Sequence, residues 1–377
     1  MGGANRSMLQ LISELIDNHH ITPPIIVSPP ARSSKHFSLA ELCKERGIKC
    51  YTTPISWFER GEKATLKLKA EYIIGSIIRD AVLLYKLRHE KFDLVHTNGS
   101  VIAAGALLAW TRGVPHVWHL REFGDLDFGL NPILGEKYKR WIYQHCHCAI
   151  AISKAVAERY KSYFGNKLTM IYNGVPLQHQ HTREATGECA ITNFCLVGRI
   201  VPSKNQLEAL KACAILKRIT NSPFHLLIVG TGQWAYTETL KTFIANNQLS
   251  ECVTLTGNRN DVPQLLQKCD IGLTTSTCEA FGRVTVEYMM QNLAVIASST
   301  GANPELVRDG HTGLLYELGN AEQLAEKMKL LLENTDLRST IAHNGKMMAR
   351  ENFNSARNSE SIFRLYQKLL SGKSGVS

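Results

Sequence analysis

At 377 residues the chain is too long for one ordinary hydrophobic core and suits two domains of roughly 150–200 residues each. An apolar content of 44% with 20% charged residues excludes intrinsic disorder as its general state. Most of the net charge of +10 lies in the first half, without a recognition motif or a set of stacking aromatic residues, so nucleic acid is not an expected partner.

The apolar and cysteine patterns indicate a cytoplasmic protein. No signal peptide opens the chain, and the longest apolar stretch, residues 101–110, is half the roughly 20 residues that a membrane span needs. Most of the ten cysteines stand inside apolar segments, as buried thiols do in a reducing compartment. Cys146, His147 and Cys148 have no second ligand pair at zinc spacing, so we expect no metal there.

The first half alternates short runs rich in β-branched residues with helical patterns. This alternation predicts an α/β fold, with a parallel sheet covered on both faces by helices. The predicted strands occupy residues 24–28, 50–54, 93–98, 116–120, 148–153 and 168–173. The predicted helices occupy residues 7–18, 39–46, 67–90, 101–112, 135–145 and 154–164.

Residues 60–91 mix basic and apolar side chains and leave two interpretations open. One is a helix pair that rests on the anionic headgroups of a membrane, which would make the protein peripheral on the inner face of the membrane. The other, which we favour, is a pair of amphipathic helices with solvated polar faces.

The pattern breaks at residues 175–190, which have no apolar period, and then restarts. We interpret this break as a linker between two βαβ domains. Predicted strands of the second half occupy residues 193–198, 225–230, 253–257, 271–276, 294–298 and 313–317. Residues 334–370 are predicted to be helical.

The start of the chain is unusual for such a domain. Gly2 and Gly3 precede a helix, as a glycine-rich loop does after the first strand, yet no strand precedes them. Either the numbering begins inside the gene product or the first domain lacks its first strand.

Ligands of doubly wound sheets bind at the carboxyl ends of strands, so residues just after strands are candidates. Gly198 and Arg199 follow one strand, and Lys204 stands at the mouth of the helix 206–217. Glycine allows close backbone approach, and two cations beside a helix N-terminus would stabilise a diphosphate.

A second loop formally matches a dinucleotide-binding fingerprint. Gly230, Gly232 and Ala235 lie between a strand and a helix at the required spacing. The fingerprint belongs to the first unit of its domain, however, and the following strand ends in Thr256 and Gly257 without an acidic residue. We therefore interpret this loop as a tight turn.

The segment CEAFGRVTVEYMM carries a pair of glutamates. Gly282 indicates that a helix begins near Arg283, which places Glu279 in a loop and Glu287 on the first turns of the helix. A loop carboxylate can accept hydrogen bonds from sugar hydroxyls, and a helix carboxylate can bind a ribose diol. Backbone N–H groups of the segment comprising Ala280, Phe281, Gly282 and Arg283 would face phosphates.

With these residues the sequence resembles the retaining glycosyltransferases of family 4, which have the GT-B architecture of two Rossmann-like domains. The likeness covers essentially all of residues 190–370, through Gly198, Arg199, Lys204 and the Glu-x7-Glu motif in its EAFGRVTVE form. The first half resembles the family less tightly, and its form HLREF at 119–123 looks like enzymes that assemble capsular, O-antigen or similar surface glycans.

The resemblance implies a domain plan and a set of roles. Residues 1–175 would bind the acceptor, 176–190 would be the linker and 191–352 would bind the nucleotide-sugar, while the terminal helix in 353–377 would return to the first domain. His119 would approach the donor sugar, Gly2 and Gly3 would contact phosphate or acceptor, and the loop containing Arg259 and Val262 would hold the base.

The implied chemistry is transfer of a sugar from UDP or GDP to a glycan or lipid-linked acceptor. Arg199 and Lys204 would stabilise the leaving diphosphate, and Glu279 would position the sugar without acting as a nucleophile. Asp125 and Asp127 resemble a metal-binding pair of another glycosyltransferase architecture, but they stand in a glycine-rich loop typical of a turn. We therefore predict no cofactor and no obligatory metal.

Two other functions remain open from the sequence. A GT-B isomerase, such as a nucleotide-sugar 2-epimerase, would release product without an acceptor. A non-catalytic nucleotide-binding module would bind a donor and turn none over.

Overall fold

The computed structural model describes residues 3–30, 39–61, 64–177 and 191–372. They form two compact units of similar size. The first contains the described residues up to Gly174 and those from Ser355 onward, and the second contains the described residues between Val175 and Asn354. Most of the predicted linker, residues 178–190, lies outside the described part, so its role stays a prediction.

The first unit alternates helices with short strands. Its helices are α1 (Gly3–His19), α2 (Leu39–Glu45), α3 (Leu66–Lys86), α4 (Ala104–Arg112), α5 (Asp125–Phe128), α6 (Glu136–Gln144) and α7 (Lys154–Phe164). Its strands are β1 (Ile26–Ser28), β2 (Cys50–Thr52), β3 (Glu59–Arg60), β4 (Val95–Asn98), β5 (His116–Leu120), β6 (Asn131–Pro132), β7 (Cys148–Ala151) and β8 (Leu168–Met170).

The strands of this unit form separate sheets, where the sequence predicted one. β4, β5, β7 and β8 form a parallel sheet in that order, and β1 pairs with β2 in a separate two-stranded sheet of the described residues. Side chains of Val27 and Val95 still pack around a shared cluster with Leu83 and Leu108, so the two sheets share a core. Among the described residues no strand pairs with both β1 and β4.

Two further features of the unit differ from the prediction. β3 and β6 form a short antiparallel pair that their two-residue length hides from any periodicity argument. The favoured interpretation of residues 60–91, two helices with solvated polar faces, is wrong. The described part of that segment contains one long helix, α3, whose exposed side is largely apolar.

The last helix, α15 (Ser355–Ser371), belongs to the first unit, as predicted. It packs against α1, and Ile362 joins Leu11 and Leu15 in a buried cluster with Val117 and Ile150 of the sheet. The return of the chain therefore places α15 on the sheet of the first unit.

The second unit is built on one six-stranded parallel sheet, as predicted. Its strands are β9 (Thr192–Val197), β10 (Phe224–Val229), β11 (Val253–Gly257), β12 (Ile271–Thr274), β13 (Ala294–Ser298) and β14 (Leu314–Tyr316). Its helices are α8 (Gln206–Ile219), α9 (Trp234–Asn246), α10 (Val262–Leu266), α11 (Arg283–Met290), α12 (Asn303–Leu306), α13 (Ala321–Glu333) and α14 (Thr335–Asn352). The strand order is β11-β10-β9-β12-β13-β14.

Local sequence explains where several of these helices begin. Ser153, Asn320 and Asn334 are N-cap residues whose side chains accept hydrogen bonds from the backbone N–H three residues later. Such caps replace a partner that the first turn of a helix lacks. α7, α13 and α14 therefore start at the positions that their polar N-cap residues mark.

Candidate functional site

The strand order of the second unit creates a switch point between β9 and β12. Phe194 of β9 pairs with Leu226 of β10 on one side and with Ile271 of β12 on the other. Connections from β9 and β12 leave in opposite directions along the sheet, which opens a crevice at their carboxyl ends. The loops of residues 198–205 and 275–282, which carry the predicted site, both begin there.

The loop after β9 is tied to the loop after β12 by hydrogen bonds. Thr275 Oγ1 donates to the carbonyl oxygen of Lys204 at 2.9 Å, and Thr277 N donates to that of Ser203 at 3.0 Å. Gln206 Nε2 donates to the carbonyl oxygen of Arg199 at 2.8 Å. These contacts hold Arg199 and Lys204 at the mouth of α8.

The predicted phosphate and sugar residues meet directly. The Lys204 ammonium donates to Glu279 Oε1, and Ser276 Oγ donates to the same oxygen at 2.6 Å. Both members of the ion pair are partly exposed, at 32% for the Lys204 side chain and 16% for that of Glu279. The ammonium of Lys204 and the carboxylate of Glu279 are therefore held together in a fixed arrangement at the surface of the switch point.

Arg199 differs from Lys204 in having no side-chain partner within the described ranges. It follows Gly198 at the end of β9, and its side chain is exposed. Gly198 lies beside the side chain of Lys204, since a Cβ built at Gly198 would lie 3.9 Å from Lys204 Cγ. One cation of the predicted pair is thus held by a carboxylate, and the other is available to a ligand.

Gly301 is a site residue that the motif analysis missed. It has φ +55°, and a Cβ there would lie 2.3 Å from the carbonyl oxygen of Glu279 and 2.6 Å from its nitrogen. Ala302 N donates to that same carbonyl oxygen at 2.8 Å. The sequence does show a glycine in the loop after β13. Its contact with Glu279 becomes evident only in the assembled sheet, where β13 lies next to β12.

α11 begins at Arg283, as predicted, after Gly282 in a left-handed conformation with φ +83°. Gly282 has no side chain that could cap the helix. The N-terminus of α11 therefore presents backbone N–H groups toward the loop. Glu287 lies on the second turn, where Arg283 Nε donates to its Oε1 at 2.8 Å. Phe281 is buried against Phe353 with 5.9 Å between ring centroids, so its side chain anchors the loop.

The loop predicted to hold the base follows β11, at the same carboxyl edge of the sheet. Arg259 forms an ion pair with Asp261, 2.6 Å from Nη2 to Oδ2, and Val262 is the first residue of α10. β10 lies between β11 and β9, so one strand separates this loop from the loop of Arg199.

Gly230 and Gly232 approach the chain's own backbone. A Cβ at Gly230 would lie 1.9 Å from the carbonyl oxygen of Gly198, and one at Gly232 would lie 1.8 Å from that of Ile200. These glycines let the loop after β10 pack on the loop after β9. Their place is in the packing of two neighbouring loops, which agrees with their interpretation as a turn.

His119 is the penultimate residue of β5 in the first unit and is fully buried. Its Nδ1 lies 3.1 Å from His96 Nε2. Burial, followed by the charge of Arg121, lowers the pKa of His119 well below its ordinary value, so the ring is neutral. Arg121 itself donates from Nε to Asn98 Oδ1 at 2.7 Å and also contacts Asn173.

The remaining predicted residues are only partly accounted for. Gly2 lies outside the described residues, and Gly3 is the exposed first residue of α1. The carbonyl oxygen of Ala4 accepts a hydrogen bond from Asn98 Nδ2 at 3.5 Å, which places the start of α1 beside the end of β4.

The acidic pair after β5 is engaged in local structure. Asp125 forms an ion pair with Arg159, 2.5 Å from Oδ2 to Nη2. Asp127 accepts hydrogen bonds from the backbone N–H groups of Phe123 and Gly124. In the part of the chain that the structure describes, no group of three or more His, Cys, Asp or Glu side chains is placed to hold a metal ion.

Two family models match the chain, and together they span most of it. The model of the group 1 glycosyl transferases matches residues 192–348, and that of glycosyltransferase family 4 matches residues 1–179. An uncharacterized glycosyltransferase of Methanocaldococcus jannaschii is 29% identical over 270 residues, which cover 70% of this chain and 72% of the relative.

A second relative has an assigned reaction. It is the UDP-Gal:alpha-D-GlcNAc-diphosphoundecaprenol alpha-1,3-galactosyltransferase of Escherichia coli, 25% identical over 321 residues, with 79% of this chain and 82% of the relative covered. Among solved structures, Anabaena HepE in complex with UDP superposes with a TM-score of 0.76 at 21% identity, over 97% of this chain and 96% of HepE. This likeness shows that the fold is the GT-B fold predicted from the sequence.

Proposed function

Because the chain belongs to the group 1, family 4 glycosyltransferases, we propose that it moves a sugar from UDP or GDP, with retention, to a lipid-linked glycan of the cell surface. The observation that carries the proposal is the contact of Lys204 with Glu279 at the switch point of the second unit. A cation for the leaving phosphate and a carboxylate for the sugar stand there side by side.

In this proposal the donor lies along the carboxyl edge of the sheet in the second unit. Solved structures of HepE hold UDP and UDP-glucose, which supports a uridine nucleotide. Arg199, Lys204 and the N-terminus of α11 bind the diphosphate, because cations and the positive end of a helix dipole both favour an anion. The other donor contacts are Glu287 for the ribose, the loop with Arg259 and Val262 for the base, and Glu279 with Ala280 for the sugar.

The chemical step places developing negative charge on the leaving diphosphate. Arg199 and Lys204 stabilise that charge where it forms, which lowers the barrier because their orientation is set before the reaction. Glu279 is held by Lys204 and Ser276, an arrangement that suits a positioning role. The acceptor hydroxyl attacks on the face that the diphosphate leaves, and a phosphate oxygen takes its proton.

Chelation of divalent metals should leave the transfer rate unchanged, within about twofold, because Arg199 and Lys204 supply the charge that a metal ion would supply. The measurement is the initial rate of transfer by the purified protein with and without EDTA. A loss of tenfold or more that magnesium or manganese restores would contradict the absence of an obligatory metal.

The transfer itself is testable with donors and acceptors supplied separately. We expect product only when a UDP- or GDP-sugar is combined with a lipid diphosphate-linked saccharide, the acceptor type named for the relative from Escherichia coli. Release of an altered sugar from donor alone would favour a nucleotide-sugar 2-epimerase. Donor binding by calorimetry without turnover of any donor and acceptor pair would favour a non-catalytic module.

α3 supports a peripheral position on the membrane that carries such an acceptor. Its solvent side presents seven large apolar side chains, several of them more than half exposed: Leu66, Ile73, Ile74, Ile77, Ile78, Val82 and Tyr85. None of the described helices combines the length and the hydropathy that a span of the bilayer requires. An apolar stripe of this kind suits a helix that lies in the plane of the lipid headgroups.

The charges around the stripe favour an anionic bilayer as its partner. Lys67, Lys86 and Arg88 are exposed at its two ends. Of the acidic side chains on the helix, Asp80 is partly buried, which raises its pKa to about 6, and Glu71 lies 4.0 Å from Lys67. Cations that flank an apolar face match the negative headgroups of a cytoplasmic leaflet.

Replacing both Ile74 and Ile77 by asparagine should weaken binding to vesicles of phosphatidylglycerol and phosphatidylcholine about tenfold or more. Each isoleucine loses roughly 1–2 kcal/mol of apolar transfer energy. Cosedimentation measures the effect, with Trp234→Asn on α9 as a control, because that residue is 78% exposed and lies in the second unit. Dimerisation through α3 without vesicle binding would contradict the membrane assignment.

A further inference from the structure

Tyr366, His96 and His119 form a chain of hydrogen-bonding groups inside the first unit. The Tyr366 hydroxyl lies 2.5 Å from His96 Nδ1, and His96 Nε2 lies 3.1 Å from His119 Nδ1. The three residues come from α15, β4 and β5, so the chain exists only because the terminal helix returns to this sheet. His119 Nε2 is buried and has no hydrogen-bond partner in the described ranges.

Both imidazole rings of the chain are neutral at physiological pH. Burial, with the neighbouring Arg121 charge as the next cause, lowers the pKa of His96 to about 3 and that of His119 well below its ordinary value. A neutral imidazole has one N–H donor and one acceptor nitrogen. The chain of three groups can therefore run in only two directions.

In one direction the Tyr366 hydroxyl donates to His96 Nδ1, His96 Nε2–H donates to His119 Nδ1, and the remaining N–H of His119 is at Nε2. In the other, His119 Nδ1–H donates to His96, His96 Nδ1–H donates to the phenol oxygen, and His119 Nε2 is an acceptor. The first is favoured because a phenol is a stronger acid than a neutral imidazole and an imidazole nitrogen is a stronger base than a phenol oxygen.

We propose that Tyr366 and His96 are positioning residues that hold His119 in its Nε2–H tautomer, with that N–H reserved as a donor to an oxygen of bound substrate. This rests on the proposed function for the identity of the substrate. A buried N–H without an acceptor is unfavourable, and a sugar or phosphate oxygen would supply that acceptor. The ligand oxygen would replace the protein atoms that now cover Nε2.

The anchoring of α15 makes Tyr366 a suitable residue to change. The helix is held independently by Ile362 in the buried cluster and by Phe363, whose ring stacks on His19 at 4.5 Å between centroids. Tyr366→Phe removes one hydroxyl and leaves these contacts in place. We therefore expect the variant to fold.

The test is ¹⁵N NMR of the histidine side chains in the full chain, with His119 assigned by its loss in His119→Gln. In the unchanged protein we expect a pyrrole-type Nε2 and a pyridine-type Nδ1 at His119, constant between pH 5 and 8. In Tyr366→Phe the two nitrogens should shift toward a tautomer mixture. Tyr163→Phe on α7, which removes a hydroxyl that donates to Glu136 Oε2 at 2.9 Å, should change neither nitrogen.

A pyrrole-type Nδ1 at His119 in the unchanged protein, or identical spectra in Tyr366→Phe, would overturn the proposal. The NMR result does not depend on turnover, so it stands or falls separately from the proposed function. Where transfer is measurable, Tyr366→Phe should lower kcat several-fold with little change in the donor KM. An equal change in Tyr163→Phe would also count against the proposal.

Discussion

Lys204→Met is expected to lower the rate of sugar transfer by about 10²–10³-fold while the protein stays folded. Removal of one preorganised group that stabilises transition-state charge typically costs this much. Lys204 combines two tasks in the structure, since its ammonium contacts Glu279 and its backbone carbonyl holds Thr275. Methionine keeps the backbone contact and most of the side-chain volume, so the loss should fall on kcat. The measurement is kcat/KM together with a thermal melt.

Arg218→Met is the matched control for this experiment, because Arg218 is an exposed cation in the last turn of α8. It changes the net charge equally and should leave transfer within about twofold. Glu279→Gln should behave like Lys204→Met, since it removes the carboxylate that both Lys204 and Ser276 contact. Wild-type rates in both Lys204→Met and Glu279→Gln would remove the basis of the proposed function.

Gly301→Ala should reduce kcat/KM by about tenfold to a hundredfold and also destabilise the second unit. The new Cβ would lie 2.3 Å from the carbonyl oxygen of Glu279, so the loop must shift. Displacement of a positioning group by about 1 Å can cost a factor of 10² in rate. Overpacking against backbone adds roughly 1–3 kcal/mol of destabilisation.

Gly310→Ala is the control that separates the effect of the steric contact with Glu279 from the effect of backbone strain. Gly310 has φ +73°, close to the +55° of Gly301, but a Cβ there meets nothing within 4 Å. Both variants incur the left-handed strain of about 1–2 kcal/mol, and only Gly301→Ala should disturb Glu279. Equal activities of the two variants would show that the loop tolerates the clash and that the position of Glu279 does not depend on Gly301.

Much of the fold could be predicted because its signals are local. Six strands in the second half show as short apolar runs, and the start of α11 shows in the placement of Gly282 before Arg283. The burial side of α3 could not be read in this way. Its isoleucines fit a core stripe by spacing, and only the assembled first unit shows that many of them are exposed.

The candidate site also combines features that the local sequence predicts with features that only the tertiary structure shows. Gly198, Arg199, Lys204 and Glu279 are recognisable from residue type and position after strands, because parallel strands bring their carboxyl ends to one edge. Their pairing was not predicted. The sequence predicts that Glu279 binds a sugar and that Lys204 binds a phosphate. The structure places the two side chains in contact and adds Ser276 and Gly301, which come from two different loops.

The sequence by itself determined the α/β class of both halves, the family and the loops that carry the candidate donor site, since each depends on short-range pattern and spacing. Only the tertiary structure decided which distant residues meet. Tyr366 lies 270 residues from His96, and Gly301 lies 22 residues from Glu279. No local pattern encodes such contacts, because they depend on strand order and on the return of α15 to the first unit.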